Sequence, residues 1–401
     1  MRNSDIPTWP RFEADEISAV VRVLESGRVN GWTGEDVGAF ESEWRAATGC
    51  EHALAMANGT LTLEASLRLL ALDATSEVIV PARTHVASGL AVAMTGSVPV
   101  FADIDPVAGC VTVETLEASR TSRTSAVIVV HLGGWVADVS AISDWARTHG
   151  IALIEDAAQA HGATLCDELA RQRWVGTFGA FASWSFCQDK IMSTGGEGGM
   201  LGVADQEMAD RAWSLRDHGR CRTRVESHVG NNRFAWWVDS VGSNLRMTGM
   251  QAAIGLVQLR KLDGWIKARV RNAAILKHTL SEIEWIEFPE VPAGHCPSWY
   301  RVYGSVRPDV EDAPKRRDQL LDAIAAIGLP IGVGSCPEIY LEDGLQAWAP
   351  GTRLPSARDL GERCLCFPCH HLMTAEAMGE YAGQLASICR DMDSTKVAAN
   401  C

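Results

Sequence analysis

Between about residues 50 and 205, short apolar runs alternate with longer amphipathic stretches. The runs are rich in Val, Ile and Ala and do not alternate with polar residues, which is typical of parallel strands covered on both faces. The stretches between them have the length of helices. This rhythm predicts an α/β fold in which a mostly parallel sheet lies between helices. The predicted strands are 77–81, 98–104, 126–132, 151–155, 180–186 and 200–203, and the predicted helices are 61–72, 86–94 and 139–148.

The rhythm stops near residue 220. Segment 220–243 combines Gly, Asn, Arg and two adjacent Trp residues without a clear period, and we interpret it as an irregular insertion. A strong helical pattern follows from 248 to about 262 and continues toward 283. Short strands with Pro and Trp occupy the remainder. We therefore predict a large domain, 1–265, and a smaller α+β C-terminal domain, 266–401.

Composition and charge narrow the possible partners. The chain has 401 residues, of which 47% are hydrophobic and 21% charged, and its formal net charge is −14. This balance leaves no basic surface for a phosphate backbone, so we expect no nucleic-acid partner. The first ten residues lack an apolar signal region, and no apolar run approaches the roughly 18 residues that span a bilayer. We expect a cytoplasmic protein that does not enter membranes.

One group of metal-ligating residue types stands out near the C-terminus. Cys364, Cys366, Cys369, His370 and His371 lie close together, and 366–370 matches the haem-attachment pattern. Haem attachment requires export, for which no signal is present. A metal site would need further ligands, and Cys336 is the nearby candidate. We predict no metal and interpret these residues as part of the core, although what the group binds stays open.

Asn58, Gly59 and Thr60 directly precede the first predicted helix. A glycine lets the backbone approach a ligand closely, and the first N–H groups of a helix attract anions. The triplet is also typical of an ordinary turn and helix cap. By itself it indicates an anion site only weakly.

Two carboxylates end the apolar strand at 151–155. Ligands of open α/β sheets bind at the carboxyl ends of strands, so Asp156 lies where a cofactor would sit. A carboxylate there can pair with a protonated ring nitrogen. The same aspartate could simply cap the next helix.

Lys190 follows the apolar strand at 180–186. Ser185 lies five residues before it, and a glycine-rich run, 195–199, comes after it. An amine beside a sharp turn and a hydroxyl suits an aldehyde cofactor that carries a phosphate. A lysine without these neighbours would indicate only a surface residue.

These segments, in this order, resemble the DegT/DnrJ/EryC1/StrS family of sugar aminotransferases over most of the chain. The resemblance implies a pyridoxal-phosphate-dependent transferase of fold type I, with a seven-stranded sheet in its large domain. The matching segments are 34–40, 58–60, 80–88, 99–105, 155–159, 185–199, 242–247 and 251–255.

The resemblance also implies roles for single residues. Lys190 matches the lysine that forms the Schiff base with the cofactor, and it would also move the proton. Asp156 matches the partner of the pyridine nitrogen, which makes the ring an electron sink. Gln159 matches the residue beside the cofactor's phenolic oxygen.

Five further residues match those that hold the cofactor in the family. Gly59, Thr60 and Ser185 match the phosphate cradle. Asn244 matches a residue that reaches the phosphate in the neighbouring subunit, which implies a homodimer with shared active sites. His85 stands where the family usually has an aromatic residue stacked on the ring. An imidazole can stack too, but it can also titrate or donate a hydrogen bond.

The implied reaction is a two-stage amino transfer through pyridoxamine phosphate. Glutamate or glutamine would be the donor, and a keto sugar linked to dTDP or UDP the acceptor, in amino sugar biosynthesis. Relatives that deoxygenate sugars carry a histidine in place of Lys190. An inosose-type cyclitol ketone of antibiotic pathways is an alternative acceptor, and a cofactor-binding regulator is an alternative of another class, although no DNA-binding module is visible. Candidates for contacting a diphosphate are Arg220, Arg222, Arg224 and Arg233, which equally suit a solvated or interfacial loop.

Overall fold

The computed structural model describes residues 6–167, 170–227 and 236–399. The helices are α1 (Ala14–Ser26), α2 (Asp36–Thr48), α3 (Gly59–Leu69), α4 (Ala87–Met94), α5 (Val113–Ser119), α6 (Val139–His149), α7 (Gln206–Arg216), α8 (Arg222–Ser227), α9 (Gly249–Leu280), α10 (Ala313–Ala326), α11 (Pro355–Arg363) and α12 (Ala375–Ala399). The strands are β1 (His52–Met56), β2 (Glu77–Pro81), β3 (Val98–Ala102), β4 (Thr124–Val130), β5 (Ala152–Asp156), β6 (Thr164–Cys166), β7 (Gln172–Trp174), β8 (Phe181–Ser185), β9 (Gly199–Val203), β10 (Ile286–Glu287), β11 (His295–Cys296), β12 (Val302–Val306) and β13 (Cys364–Phe367).

A seven-stranded sheet forms the centre of the molecule, in the order β1-β9-β8-β5-β4-β2-β3. Neighbouring strands from β8 to β3 run parallel, whereas β9 is antiparallel to both β1 and β8. The predicted α/β class with a mostly parallel sheet is confirmed. All six predicted strands occur in this sheet, and β1 is the strand of the sheet that the apolar pattern did not identify.

Apolar side chains fill both faces of this sheet. Val127 and Val129 of β4 point into one core cluster, while Ala126, Ile128 and Val130 point into the other. Both faces are therefore buried, which explains why the strand sequences are continuously apolar. Helix α3 packs against β8 and β9, so its first turn lies at the carboxyl end of β8.

The C-terminal part of the chain contains a second, smaller sheet. A three-stranded sheet, β10-β12-β13, packs with α10 and α11, and β11 pairs with the β6–β7 hairpin. Helix α9 is continuous from Gly249 to Leu280 and packs against α1, α2 and α12. The predicted domain boundary near residue 265 falls inside α9, and the division into 1–265 and 266–401 stays a prediction.

The insertion at 220–243 contains the short helix α8 and backbone bridges such as Arg220 with Val238. Residues 228–235, including Arg233, lie outside the described part of the chain. Within the described residues, none of the helices combines the length and apolar character that a membrane crossing requires.

Candidate active site

A cavity of about 510 Å³ opens at the carboxyl ends of the central strands. Its volume is within the range of cofactor sites, roughly 300–1,000 Å³. Every predicted site residue except Asn244 lines it. These residues are Gly59, Thr60, His85, Asp156, Gln159, Ser185 and Lys190.

The first turn of α3 forms one wall of this cavity. The Asn58 side chain caps the helix by accepting a hydrogen bond from the Leu61 amide at 2.9 Å. Gly59 lies so close to β8 that a Cβ there would be 2.7 Å from the Ser185 Cβ. The glycine therefore lets the helix N-terminus and the Ser185 hydroxyl face the same space. That arrangement forms an anion cradle.

Hydroxyl groups hold this turn in place from below. The Thr62 hydroxyl donates to the Gly59 carbonyl at 2.6 Å, and the Ser183 hydroxyl donates to the same carbonyl at 3.1 Å. Both side chains are fully buried. Two hydrogen bonds therefore hold the Gly59 backbone, and moving it would leave buried polar atoms without those partners.

Asp156 is the last residue of β5 and is only 6% exposed. Its Oδ2 accepts a hydrogen bond from the Ser88 hydroxyl at 2.9 Å, and its Oδ1 accepts one from the Ala158 amide at 3.1 Å. Burial raises the pKa of this carboxyl, while both hydrogen bonds and the charge of Lys190 oppose the rise. A cationic partner in the cavity would stabilise the carboxylate further.

Lys190 lies in the turn that follows β8, with its side chain 13% exposed. Its Nζ is 4.0 Å from the Asp189 Oδ1 and 5.2 Å from the ring centroid of Tyr300. The Trp9 indole N–H donates to the Lys190 carbonyl at 2.6 Å. The indole therefore holds the Lys190 backbone from the N-terminal segment, while Tyr300 lies beside the amine that lines the cavity.

Gln159 and His85 line the remaining wall. The Gln159 Oε1 accepts a hydrogen bond from the Gly133 amide at 2.7 Å, which orients its amide group. The His85 Nδ1 accepts one from the Ala87 amide at 3.2 Å, and the ring is exposed. His85 can therefore stack on a planar ligand without breaking a contact.

Asn244 lies on the surface outside this cavity, and its backbone bridges to Asp217. Two of the candidate diphosphate-binding arginines already have acidic partners. Arg220 pairs with Asp217 at 3.0 Å, and Arg222 pairs with Glu226 at 2.8 Å.

The residues present fit pyridoxal phosphate on three independent points. A glycine-dependent anion cradle suits its phosphate, a buried carboxylate that gains from a cation suits its pyridinium nitrogen, and an amine that lines the cavity suits its aldehyde. All three face one cavity.

Comparison with known proteins decides the family. Residues 10–385 match the model of the DegT/DnrJ/EryC1/StrS aminotransferase family. This chain belongs to that family. Its members depend on pyridoxal phosphate, so the chain is a pyridoxal-phosphate-dependent aminotransferase of fold type I.

Relatives in this family act on different ketones. The chain is 33% identical to a dTDP-4-dehydro-2,3,6-trideoxy-D-glucose 4-aminotransferase of Saccharopolyspora spinosa, over 90% of each protein. It is 34% identical to an L-glutamine:2-deoxy-scyllo-inosose aminotransferase of Streptomyces kanamyceticus, over 84% of this chain and 79% of the relative. The crystal structure of an aminotransferase from Psychrobacter cryohalolentis superposes with a TM-score of 0.90 at 37% identity, covering 94% of this chain and 97% of the other.

Sequence reasoning missed several residues of this candidate site. Ser88, which binds Asp156, lies within the matching segment 80–88, but its partner could not be read from the sequence. Tyr300 donates a short hydrogen bond to Asp189 from 111 residues away. Glu197 also lines the cavity, in the glycine-rich run after Lys190.

The cysteine and histidine group near the C-terminus lies beside the aminotransferase core. The Cys369 thiol donates to the Trp299 carbonyl at 2.9 Å, and His371 stacks on Trp265 with ring centroids 4.3 Å apart. Among the residues that the structure describes, the ligand atoms of this group do not converge. Those of Glu13, Asp15 and Glu16 do converge, but they already hold the Lys261 amine.

Proposed function

We propose that this aminotransferase moves an amino group from glutamate or glutamine to a keto sugar linked to dTDP or UDP, in amino sugar biosynthesis. The observation that carries the proposal is the convergence of Lys190, Asp156 and the Gly59–Ser185 cradle in one cavity. The relative from Saccharopolyspora spinosa, which is named for a dTDP-keto sugar, supports this acceptor.

The cradle and the carboxylate would hold the two ends of the cofactor. Gly59, Thr60 and Ser185 would bind its phosphate, because helix N–H groups and hydroxyls converge there. Asp156 would pair with the pyridinium nitrogen and keep it protonated. Gln159 would lie beside the phenolic oxygen, and His85 would cover the ring. When bound, pyridoxal phosphate supplies an electron sink for the carbon that loses its proton.

Lys190 would have two tasks. Its Nζ would hold the cofactor at the aldehyde and, when free, would take the proton that the substrate carbon loses and return it. Asp189, 4.0 Å away, would keep the free amine near the cavity. The base, Lys190, and the carboxylate that orients it, Asp189, are therefore adjacent residues of one turn.

A cyclitol ketone of the inosose type is the second candidate acceptor. The relative from Streptomyces kanamyceticus, which is named for 2-deoxy-scyllo-inosose, is about as similar to this chain as the sugar enzyme is. The acidic partners of Arg220 and Arg222 also leave these side chains less free to bind a diphosphate. A panel of nucleotide amino sugars and aminocyclitols, assayed by formation of glutamate from 2-oxoglutarate, separates the two acceptors. Turnover of free aminocyclitols alone would favour the second.

The reaction type has its own test. The purified protein should absorb in the visible region, and glutamate or glutamine should change that spectrum. Lys190→Ala should abolish the change, whereas Lys267→Ala, at an exposed position in α9, should not. Turnover by the Lys190→Ala protein at the wild-type rate would contradict the mechanism.

We also propose a homodimer in which Asn244 reaches the partner's cofactor site. Its exposed position outside its own cavity supports this role. If the sites are shared, inactive Lys190→Ala and impaired Asn244→Ala proteins should regain activity when refolded together. If the refolded mixture has only the average of the two separate activities, the active sites are not shared.

A further inference from the structure

A second, smaller cavity of about 210 Å³ lies beside the cofactor cavity. The N-terminal segment 6–9 forms one side of it, and residues of the C-terminal part form the other. Asp189 lines both cavities, so they are adjacent. The polar residues in the wall of the small cavity include Asp189, Arg269, Tyr300, Arg301 and His370.

Arg269 is completely buried in this wall. Its Nη1 donates to the carbonyls of Trp299 and Tyr300, at 3.2 and 3.3 Å. Its Nε and Nη2 have no hydrogen-bond partner among the described residues. Burial lowers the pKa of this guanidinium to about 10, so it remains charged at neutral pH. A buried cation with unused donors favours an anion nearby.

Arg301 adds a second positive charge to the same cavity. Its Cζ lies 5.1 Å from the ring centroid of Tyr300, and the Lys190 Nζ lies 5.2 Å from the same centroid. The Tyr300 ring thus contacts Arg301 of the small cavity as well as the amine of the cofactor cavity. An anion held by Arg301 would therefore lie one side chain away from Lys190.

The other titratable groups in the wall do not cancel these charges. Burial lowers the pKa of His370 to about 4, so the ring is neutral near pH 7, and its buried Nδ1 has no partner in the described structure. Asp189 is the opposing carboxylate. Asp189 accepts a hydrogen bond from the Tyr300 hydroxyl, and its Oδ1 lies 4.0 Å from the Lys190 Nζ. Its negative charge therefore acts partly on that amine and not on the two arginines alone.

We propose that the cavity between Arg269 and Arg301 binds a carboxylate group of the amino donor. The inference rests on the proposed function and identifies where the donor is recognised. Paired guanidinium groups suit a carboxylate, which they can bind through two parallel hydrogen bonds. At about 210 Å³ the cavity is smaller than typical ligand sites, which favours a small acid over a nucleotide diphosphate.

The main test compares both substrates of an Arg301→Gln holoenzyme. The KM for glutamate should rise about 10- to 100-fold, because a charged hydrogen-bonding partner is lost. The KM for the acceptor should stay within twofold. Arg307→Gln is the matched control, since Arg307 is exposed and pairs with Asp309 outside both cavities. A rise in the acceptor KM alone would show that the cavity holds the acceptor's diphosphate and would overturn the proposal.

A binding measurement separates this proposal from the proposed function. Trp9 lines the small cavity, so titrating the wild-type holoenzyme with 2-oxoglutarate should change tryptophan fluorescence. Arg301→Gln and Arg269→Lys should both weaken this titration at least tenfold, with circular dichroism confirming their folding. If neither glutamate nor glutamine changes the wild-type spectrum, the proposed function fails while the titration still tests the cavity. Equal 2-oxoglutarate affinity in wild type and folded variants would overturn the inference.

Discussion

Replacing Gly59 by alanine tests the cofactor cradle most directly. The added Cβ would lie 2.7 Å from the Cβ, and 3.2 Å from the Cα and the Oγ, of Ser185. Carbon atoms in good contact are about 3.5–4.0 Å apart, so either α3 or β8 must shift. The Gly59 carbonyl is held by two buried hydroxyls, and Ser185 belongs to a central strand. Neither side can yield without cost.

The size of the effect follows from this crowding. Overpacking of a filled interior costs about 1–3 kcal/mol. If the helix N-terminus moves to relieve the contact, its N–H groups leave the phosphate, and 1–3 kcal/mol corresponds to about 5- to 140-fold weaker cofactor binding. If it does not move, the free energy of unfolding falls by a similar amount. We therefore expect Gly59→Ala to weaken cofactor binding, to lower the free energy of unfolding, or to do both in part.

Gly38→Ala is the matched control for this substitution. Gly38 also lies in a helix, α2, but a Cβ there has no neighbour within 4 Å. It reports the gain in helix propensity, up to about 1 kcal/mol, without any contact. Titration of the apo-proteins with pyridoxal phosphate and chemical denaturation measure the two quantities. If Gly59→Ala matches Gly38→Ala in both, the close approach of α3 to β8 is wrong.

Two further predictions concern pH. Ser88→Ala removes a hydrogen bond that lowers the pKa of Asp156. The acidic limb of the pH profile of kcat/KM should therefore move to higher pH. If this limb stays at the wild-type pH, the role of Asp156 is contradicted. Burial among aromatic rings lowers the pKa of His161 to about 3. Because the unfolded state binds the proton more tightly than the folded state, the free energy of unfolding should fall as the pH drops from about 6.5. His161→Phe should remove up to about 1.4 kcal/mol per pH unit of this loss in chemical denaturation between pH 6 and 4. An unchanged slope would refute that account.

The central sheet could be predicted because its physical cause is local. Strands buried on both faces are mostly apolar, and the five consecutive buried residues of β4, Ala126 to Val130, produce that signal. Strand β1 has the same burial after its first residue but reads His-Ala-Leu-Ala-Met. Ala, Leu and Met favour helices, so its strand structure comes from pairing with β9 and not from local preference.

The candidate cofactor cavity could be predicted to the extent that its residues lie in short segments. Gly59 starts α3, Asp156 ends β5 and Lys190 follows β8, and the resemblance to the family connected them. Tyr300 and Arg301 had no such signal, because they approach Asp189 only through the packing of the C-terminal part. Contacts across such a sequence separation depend on the tertiary fold, which periodicity does not describe.

The fold decides whether the region of the Cys and His group near the C-terminus suits a cation or an anion. In the sequence these residues are of metal-ligating types, although we predict no metal there. In the structure burial lowers the pKa of His370 and His371, and the charge of Arg269 lowers both further. Burial likewise raises the pKa of Cys366 to about 12 and that of Cys369 to about 11, so both thiols stay protonated. The charges of Arg269 and Arg301 repel a cation, and the neutral thiols and imidazoles do not offset them. The same neutrality leaves those charges available for an anion, so this wall suits the carboxylate of a substrate.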